Sequence, residues 1–206
     1  MAEHAYEVLR DRLVLLDIAP GQPIREAQLA EDLGVGRTPI REALKRLETD
    51  HLVVSYARRG TFATPVEFRE LGHISEIRQL LEPLAARAAA GNADPHIREQ
   101  LLEKLDVINH LDPAVKQRDL LLLDVHMHRL IYQASGNMHL EETLVRLDSL
   151  VTRIWCLAID QMADVARHIM EHAGLLRAIL DGDADTAAEL ASHHVLHFEK
   201  ALRSAL

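Results

Sequence analysis

The stretch at 29–47 constrains the fold of this 206-residue chain more than any other. It reads LAEDLGVGRTPIREALKRL, which indicates a short helix, a tight turn at Gly34, Val35 and Gly36, and a second helix. Pro39 falls in the first turn of the second helix, where its missing backbone N–H is not needed. Apolar residues then recur at helical spacing, at Ile40, Ala43, Leu44 and Leu47. This pattern predicts a helix-turn-helix.

The opposite face of the second helix is polar and basic. It carries Arg37, Thr38, Arg41 and Lys45. The first three lie near the helix N-terminus, which is the end that enters the major groove in helix-turn-helix proteins. This face is therefore a candidate for contact with DNA.

A candidate wing follows the second helix. Two short segments with strand character, LVVSYA and TFATP, flank a turn at Arg58, Arg59 and Gly60. In a basic β-hairpin at this place, the arginines can reach phosphates or the minor groove. A single surface arginine is ordinarily just a solvated charge, so the prediction depends on the whole pattern.

Charge is distributed unevenly along the chain. The net charge is −9, but residues 1–65 hold 9 Lys+Arg against 10 Asp+Glu, whereas the remainder holds 14 against 22. Phosphate binding depends on local charge and not on the total. We expect the acidic remainder to face away from DNA.

Composition excludes several other classes of protein. Aromatic residues make up 3% of the chain, which argues against aromatic stacking on single strands. The single cysteine, Cys156, excludes an internal disulfide and fits a reducing cytosol. No apolar run approaches the ~20 residues that span a bilayer, and no signal-peptide pattern is present. We expect a cytoplasmic protein without a membrane partner.

The remainder of the chain has helical periodicity and no convincing strand. Six helical segments are predicted, at 67–90, 95–110, 115–134, 138–160, 161–181 and 183–204. Glycine, proline, serine and asparagine mark the breaks, which include Gly91-Asn92, Asp112-Pro113 and Asp181-Gly182-Asp183. The sequence predicts a mainly α protein. A winged helix-turn-helix domain covers 1–66, and an all-α six-helix bundle covers 67–206.

The chain has 13 histidines, some of which suggest a metal site. Asp124 and His128 are four residues apart and share a helix face. His172 and His194 lie on the fifth and sixth helical segments, so one carboxylate and three imidazoles could meet inside the bundle. Such a set suits zinc, nickel, manganese or iron. An Asp–His pair at this spacing is more commonly a surface pair, and the competing ligands are His168, His193 and His197.

Two sets of motifs resemble known families. The stretch APGQPIREAQLAEDLGVGRTPIREALKRLETDHLV, followed by RRGTF, closely resembles the winged helix-turn-helix of the GntR family of bacterial transcription regulators. The segments EIRQLLEPLAARAAA, DVHMHRLIYQASGN and EHAGLLRAILDGDADTAAELASHHV resemble the FadR/VanR-type ligand domain, called FCD. The resemblance covers nearly the whole chain.

The resemblance implies a dimeric DNA-binding repressor that a small carboxylate releases from an inverted-repeat operator. It places Arg37, Thr38 and Arg41 at the family's recognition contacts and Gly60 at the wing tip. The family's metal ligands fall on Asp124, His128, His172 and His194, with zinc as our first choice of ion. Arg78, four residues before Glu82, falls where the family holds the effector carboxylate, although a helix-surface pair with Glu82 is an equal alternative.

Two residues depart from the family pattern. Gly36 stands where serine is usual, which should weaken the cap of the recognition helix. His51 stands where glycine is usual after that helix, and a positive φ there would be tolerable for histidine but strained. Neither departure changes the expected fold.

We hypothesise that an organic acid takes an open position on the metal, is held by Arg78, and changes the placement of the two recognition helices. One alternative is a metal-dependent hydrolase or lyase that uses the Asp/His cluster. No general base or nucleophile is evident beside the metal residues, so we expect no enzyme activity. The other alternative is a DNA-binding protein with a purely structural metal.

Overall fold

The computed structural model describes residues 1–92, 94–112, 115–162 and 165–205. The chain divides into two compact units, Met1–Glu67 and Phe68–Leu206. None of the helices in these described ranges is long and apolar enough to cross a membrane.

The N-terminal unit contains three helices and a hairpin. In chain order these are α1 (Ala2–Val14), α2 (Glu26–Asp32), α3 (Arg37–Thr49), β1 (Val53–Tyr56) and β2 (Gly60–Ala63). The apolar stripe of α3 is buried against α1, where Leu9 and Leu13 are also buried. Burial of one helix face is what holds so short a helix in place, because isolated helices of this length are marginal in water. The helix-turn-helix predicted from the sequence is confirmed.

The hairpin is antiparallel, and Tyr56 pairs with Gly60 across the turn. Gly60, predicted from the sequence to lie in the turn, is therefore the first residue of β2. Arg58 at the tip has a φ of +62°. The chain before α2 runs beside β2. The amide of Ile24 donates to the carbonyl of Thr61 at 2.8 Å, and the amide of Ala63 donates to the carbonyl of Gln22 at 2.9 Å. These bonds tie the wing to the helix-turn-helix.

The second unit is helical over its described residues. It contains α4 (Glu70–Gly91), α5 (Pro95–Asn109), α6 (Gln117–Ala134), α7 (Met138–Ala158), α8 (Val165–Asp181) and α9 (Ala184–Ala205), with a short 3-10 helix at Ile159–Gln161. The fold class predicted from the sequence, mainly α with six helices after the wing, is confirmed. The helix α7 ends at Ala158, two residues before the predicted end at 160. The helix α8 begins at Val165, whereas the sequence predicts a start at 161. Pro113, in one predicted break, lies outside the described residues.

Local side chains explain where several helices begin and end. Asn137 caps α7, since its side-chain oxygen accepts from the amides of His139 and Leu140. Asp94 caps α5 in the same way, with Pro95 at the first helical position. Gly182, with a φ of +77°, ends α8 in the left-handed conformation that glycine adopts without strain.

The interior of the helical unit is not wholly apolar. Five of its helices contribute buried ionisable side chains to one cluster. These side chains are Arg78 and Glu82 on α4, Asp124 and His128 on α6, Asp148 on α7, His168 and His172 on α8, and His194 on α9. Buried charges are uncommon unless they are paired or bind a metal. The fold thus brings a polar cluster into the centre of the bundle.

The C-terminus of α3 generates a prediction about stability. His51 has a φ of +61°. Its amide donates to the Glu48 carbonyl, and the next amide, that of Leu52, donates to the Leu47 carbonyl. This is a Schellman motif, in which glycine is the usual residue at the position of His51. We expect His51→Gly to stabilise the chain by about 1 kcal/mol, measured by calorimetric unfolding. His51→Ala should give no such gain, and a less stable glycine variant would contradict this account.

Candidate metal centre and nucleic-acid interface

The exposed face of α3 is the first candidate site. Arg37, Thr38, Arg41 and Lys45 are all exposed. The turn before them is closed by the amide of Val35, which donates to the carbonyl of Ala30 at 3.0 Å. Gly36 is the N-cap and forms no side-chain cap bond. The first turn of α3 therefore presents basic and hydroxyl side chains directly to solvent.

Arg41 forms an ion pair that spacing along the sequence does not indicate. Its Nε donates to Glu26 Oε2 on α2 at 2.8 Å, and about two thirds of the arginine side chain remains exposed, at 66%. The pair uses Nε, which leaves the terminal nitrogens for a phosphate or a guanine edge. Glu26 therefore holds Arg41 at one end without covering it.

Arg46, on the same helix, has a structural role. Its guanidinium lies 3.7 Å over the Tyr6 ring and forms an ion pair of 2.5 Å with Glu3. The Tyr6 hydroxyl donates to Asp50 Oδ2 at 2.8 Å. These contacts fix α1 against α3 and so set the direction in which the basic face points. Arg58 and Arg59 at the wing tip are exposed.

The second candidate site lies at the centre of the helical unit. Asp124, His128, His172 and His194 each offer a ligand atom, and these atoms lie within 4.8 Å of one another. His128 Nε2 and His172 Nε2 are 3.2 Å apart. Two nitrogens at 2.0–2.1 Å from one ion, with ordinary bond angles, are separated by about 3.0–3.4 Å. The spacing fits a shared metal ion.

The protonation of these two imidazoles also favours a cation. His172 Nδ1 lies 3.2 Å from the Ile169 carbonyl, which can only accept, so Nδ1 carries the proton. His128 Nδ1 lies 3.1 Å from the Tyr132 hydroxyl, which itself donates to Glu82. Both Nε2 atoms therefore bear lone pairs, and these face each other. Burial lowers the pKa of His172 to about 3, so a second proton on that ring does not relieve the contact.

Several buried ligand atoms have no hydrogen bond within the described residues. They are Asp124 Oδ1 and both ring nitrogens of His194. An unsatisfied buried polar atom destabilises the fold by roughly 1–3 kcal/mol. Burial, followed by the neighbouring His172 and His168, lowers the pKa of His194 well below its ordinary value, so that ring is neutral and able to ligate. These residues fit a divalent metal ion.

The charge balance of the cluster supports the same conclusion. Among the described residues that line the cavity at this cluster, Arg78 is the single cation, with Nε 2.6 Å from Glu82 Oε1 and Nη2 3.3 Å from Asp148 Oδ1. Asp124 is a third buried carboxyl group. Burial and the nearby Asp148 carboxylate raise the pKa of Asp124 well above its ordinary value. A divalent cation would favour the ionised form of Asp124, and its charge would then balance three carboxylates and one guanidinium.

The burial of Arg78 bears on its two interpretations, which are an effector contact and a helix-surface pair with Glu82. Arg78 and Glu82 are paired, but both side chains are only 4% exposed, so this is not a helix-surface pair. Arg78 lies on the wall of a closed cavity beside Asp124, in which the packed side chains leave no room for a water molecule. Val151, Trp155 and Phe198 form the apolar part of that wall. A molecule can contact Arg78 here only when these side chains move apart.

Tyr132 and Trp155 were not identified from the sequence. Tyr132 is four residues after His128, so helical spacing could have indicated that it contacts the ring. Trp155 Nε1 is buried without a hydrogen-bond partner among the described residues, and no sequence pattern indicates this. The hydroxyl of Tyr132 orients the ring of His128. The indole of Trp155, which lines the cavity, adds an N–H donor.

The competing histidines take three different positions. His168 is buried, with Nε2 3.7 Å from Asp124 Oδ1 and its ring stacked on that of His194. His197 is about half exposed and pairs with Glu171 at 2.7 Å. His193 is exposed and does not join the cluster. Only His168 therefore approaches the predicted ligands closely.

Comparison with protein families separates the same two parts of the chain. Residues 1–63 match the bacterial regulatory proteins of the gntR family. Residues 73–197 match the FCD domain. The two matches cover the basic helix with its wing and the polar cluster of the helical unit.

Named relatives and a solved structure match over nearly the full length. The uncharacterized HTH-type transcriptional regulator YdhC of Bacillus subtilis is 31% identical over 94% of this chain and 85% of its own. The HTH-type transcriptional repressor RspR of Escherichia coli is 24% identical over 98% of this chain and 88% of its own. The structure of E. coli McbR/YncC superposes with a TM-score of 0.81 at 24% identity, over 98% and 97% of the two chains, and shows the shared fold.

We predict that metal binding depends on His172 and His194, the two proposed ligands nearest the C-terminus. The double variant His172→Ala/His194→Ala should lose affinity for Zn²⁺ by more than the roughly 10–100-fold that loss of an outer-shell partner causes. Elemental analysis and a chelator competition measure this. His193→Ala, one residue from His194 but exposed, is the matched control and should keep its metal. One ion per chain in the double variant would exclude the site.

Proposed function

The chain belongs to the GntR family of bacterial regulatory proteins, with an FCD domain, and is a DNA-binding transcription regulator; we propose that it is a repressor which a small carboxylate releases from its operator. The observation that carries the ligand-dependent part is the buried cluster in which Arg78, Trp155 and a candidate metal centre surround one closed cavity. Membership of a family of transcription regulators gives no support to the hydrolase or lyase alternative.

The DNA contacts are assigned to α3 and the wing. Arg37, Thr38 and Arg41 at the exposed start of α3 read base edges or phosphates in the major groove. Lys45, one turn further along, contacts phosphate. Arg58, Arg59 and Gly60 at the wing reach the backbone or the minor groove, where exposed arginines give affinity without much sequence discrimination.

We assign the chain to a homodimer that binds an inverted repeat. Support comes from α4, whose Ile77, Leu80 and Leu84 are 45%, 75% and 51% exposed and recur at helical spacing. An apolar stripe of this kind on a surface helix is typical of a protein interface. A two-fold pair of chains presents two recognition helices, which matches the symmetry of an inverted repeat.

The metal ion would be held by Asp124, His128, His172 and His194, and when bound it supplies a Lewis-acidic position for a ligand oxygen. Glu82 and Tyr132 orient the ligand ring of His128. Arg78 lies at the same cavity and can pair with a carboxylate, for which it must exchange part of its pairing with Glu82 or Asp148. The indole N–H of Trp155 offers one further donor.

The cavity is closed, because its packed side chains leave no room for a water molecule. A ligand therefore has to displace side chains of the wall when it enters, which favours a small ligand. A carboxylate is the group that Arg78 can pair with. The proposed ligand class is a small hydroxy, oxo or dicarboxylic acid.

Arg41 provides the test of the DNA-binding assignment. Arg41→Ala should weaken binding to an operator selected in vitro about 10- to 100-fold, since an arginine that reads a base edge contributes on that scale. Fluorescence anisotropy at fixed salt measures the change. Lys200→Ala removes one exposed positive charge from α9 and should leave operator affinity unaltered. Equal binding by the native chain and Arg41→Ala would contradict the assignment of α3.

A second prediction concerns the ligand. With metal-loaded protein, glycolate, malonate or succinate should change operator affinity by about 5- to 150-fold, the usual range of coupling between two sites. Glycerol, which lacks the carboxylate that pairs with Arg78, should have little effect. Binding can be followed directly because Trp155 is the only tryptophan of the chain and lines the cavity. If no acid in a broad set changes operator affinity, the metal is structural and the ligand-responsive proposal is wrong.

A further inference from the structure

The metal ligands proposed above are almost closed to solvent. The side chains of Asp124, His128, His172 and His194 are 4%, 3%, 0% and 5% exposed. A hydrated divalent ion cannot cross packed side chains without ligands that replace its water. A functional metal site therefore needs a path by which the ion reaches it.

A second group of donors lies beside the metal centre, around Glu171 on α8. Glu171 Oε1 is 2.7 Å from His197 Nδ1. Glu171 Oε2 is 3.4 Å from His194 Nδ1 and 3.8 Å from His168 Nδ1. One carboxylate thus contacts three imidazoles, and ligand atoms of His168, Glu171 and His194 lie within 4.8 Å of one another.

Exposure falls steadily along this group. The side chain of His197 is 55% exposed and that of Glu171 is 28% exposed. His168 follows at 9% and His194 at 5%. The donors therefore form a line from solvent to the interior.

The line continues into the metal centre without a gap. His168 offers Nδ1 to Glu171 and has Nε2 3.7 Å from Asp124 Oδ1. Its ring is stacked on that of His194, with centroids 4.3 Å apart and planes at 20°. His194 belongs to both donor groups. An ion that leaves one group already touches residues of the other.

We propose that His168, Glu171 and His194 form an outer cation site through which a divalent metal ion reaches the inner site of Asp124, His128, His172 and His194. This inference rests on the proposed metal centre. Two imidazoles and one carboxylate bind first-row divalent ions and leave positions for water. The inner site has four protein ligands, so the ion moves inward. Because His194 is shared, one ion occupies one site at a time.

A simpler role for Glu171 predicts different kinetics. If Glu171 only orients His194 through Nδ1, its loss weakens the bound state, so the ion dissociates faster and the dissociation constant rises. If Glu171 lies on the path, its loss raises a barrier that the ion crosses in both directions. Association and dissociation then slow together, and the dissociation constant hardly changes.

The test is stopped-flow mixing of Ni²⁺ with the metal-free full-length protein, followed by Trp155 fluorescence. Trp155 is the only tryptophan, and its ring lies 5.2 Å from that of His168. We expect Glu171→Gln to slow association by at least about tenfold, the lower end of what a charged path contributes to on-rates. Dissociation into excess chelator should slow by a similar factor, and the final content should remain one ion per chain.

Two further variants control the measurement. Glu189→Gln removes one exposed carboxylate from α9 outside the cluster and should leave both rates unchanged, which separates the path from general charge. Glu171→Asp keeps the carboxylate and should recover part of the association rate. Unaltered rates in Glu171→Gln, or faster dissociation with unaltered association, would overturn the outer site while leaving the metal centre intact. A native protein that binds no Ni²⁺ would overturn both.

Discussion

Two imidazole lone pairs that face each other at 3.2 Å are the constraint around which the interior of the helical unit is organised. The Ile169 carbonyl sets the tautomer of His172, and the Tyr132 hydroxyl with Glu82 sets that of His128. The pair is therefore repulsive unless a cation lies between the rings. Three buried carboxyl groups against one guanidinium add to this demand. We interpret the centre of the helical unit as a cation-binding site around which the apolar core packs.

The cavity at this cluster is lined both by proposed metal ligands and by Arg78, the proposed contact for an effector carboxylate. Groups from α4, α6, α7, α8 and α9 meet in it, so the position of each helix affects the electrostatics of the whole cluster. In the proposed mechanism, a small anion that enters the cavity would alter the pairing of Arg78 with Glu82 and Asp148 and would thereby bias the packing of α4 and α7. Coupling of this kind requires a free-energy difference of only about 1–3 kcal/mol between two states of the protein.

The sequence predicts those parts of the structure that depend on local spacing. The stripe from Ile40 to Leu47 and the Asp124/His128 pair follow helical periodicity, and both helices form as predicted. The contact of Arg41 with Glu26 and the contacts of Glu171 with three imidazoles join different helices, so spacing along the chain does not indicate them. Arg78 illustrates the intermediate case. Its partner Glu82 is evident at four residues, but its burial depends on how the bundle packs.

The most direct test of the cation site is the metal content of the native protein. Native mass spectrometry with elemental analysis, on protein purified without chelator, should find one divalent ion per chain. Added Zn²⁺ or Ni²⁺ should restore that ion after it has been removed. A folded chain that is purified without metal, and that takes up neither ion, would contradict the interpretation of the cluster and the function assigned to it.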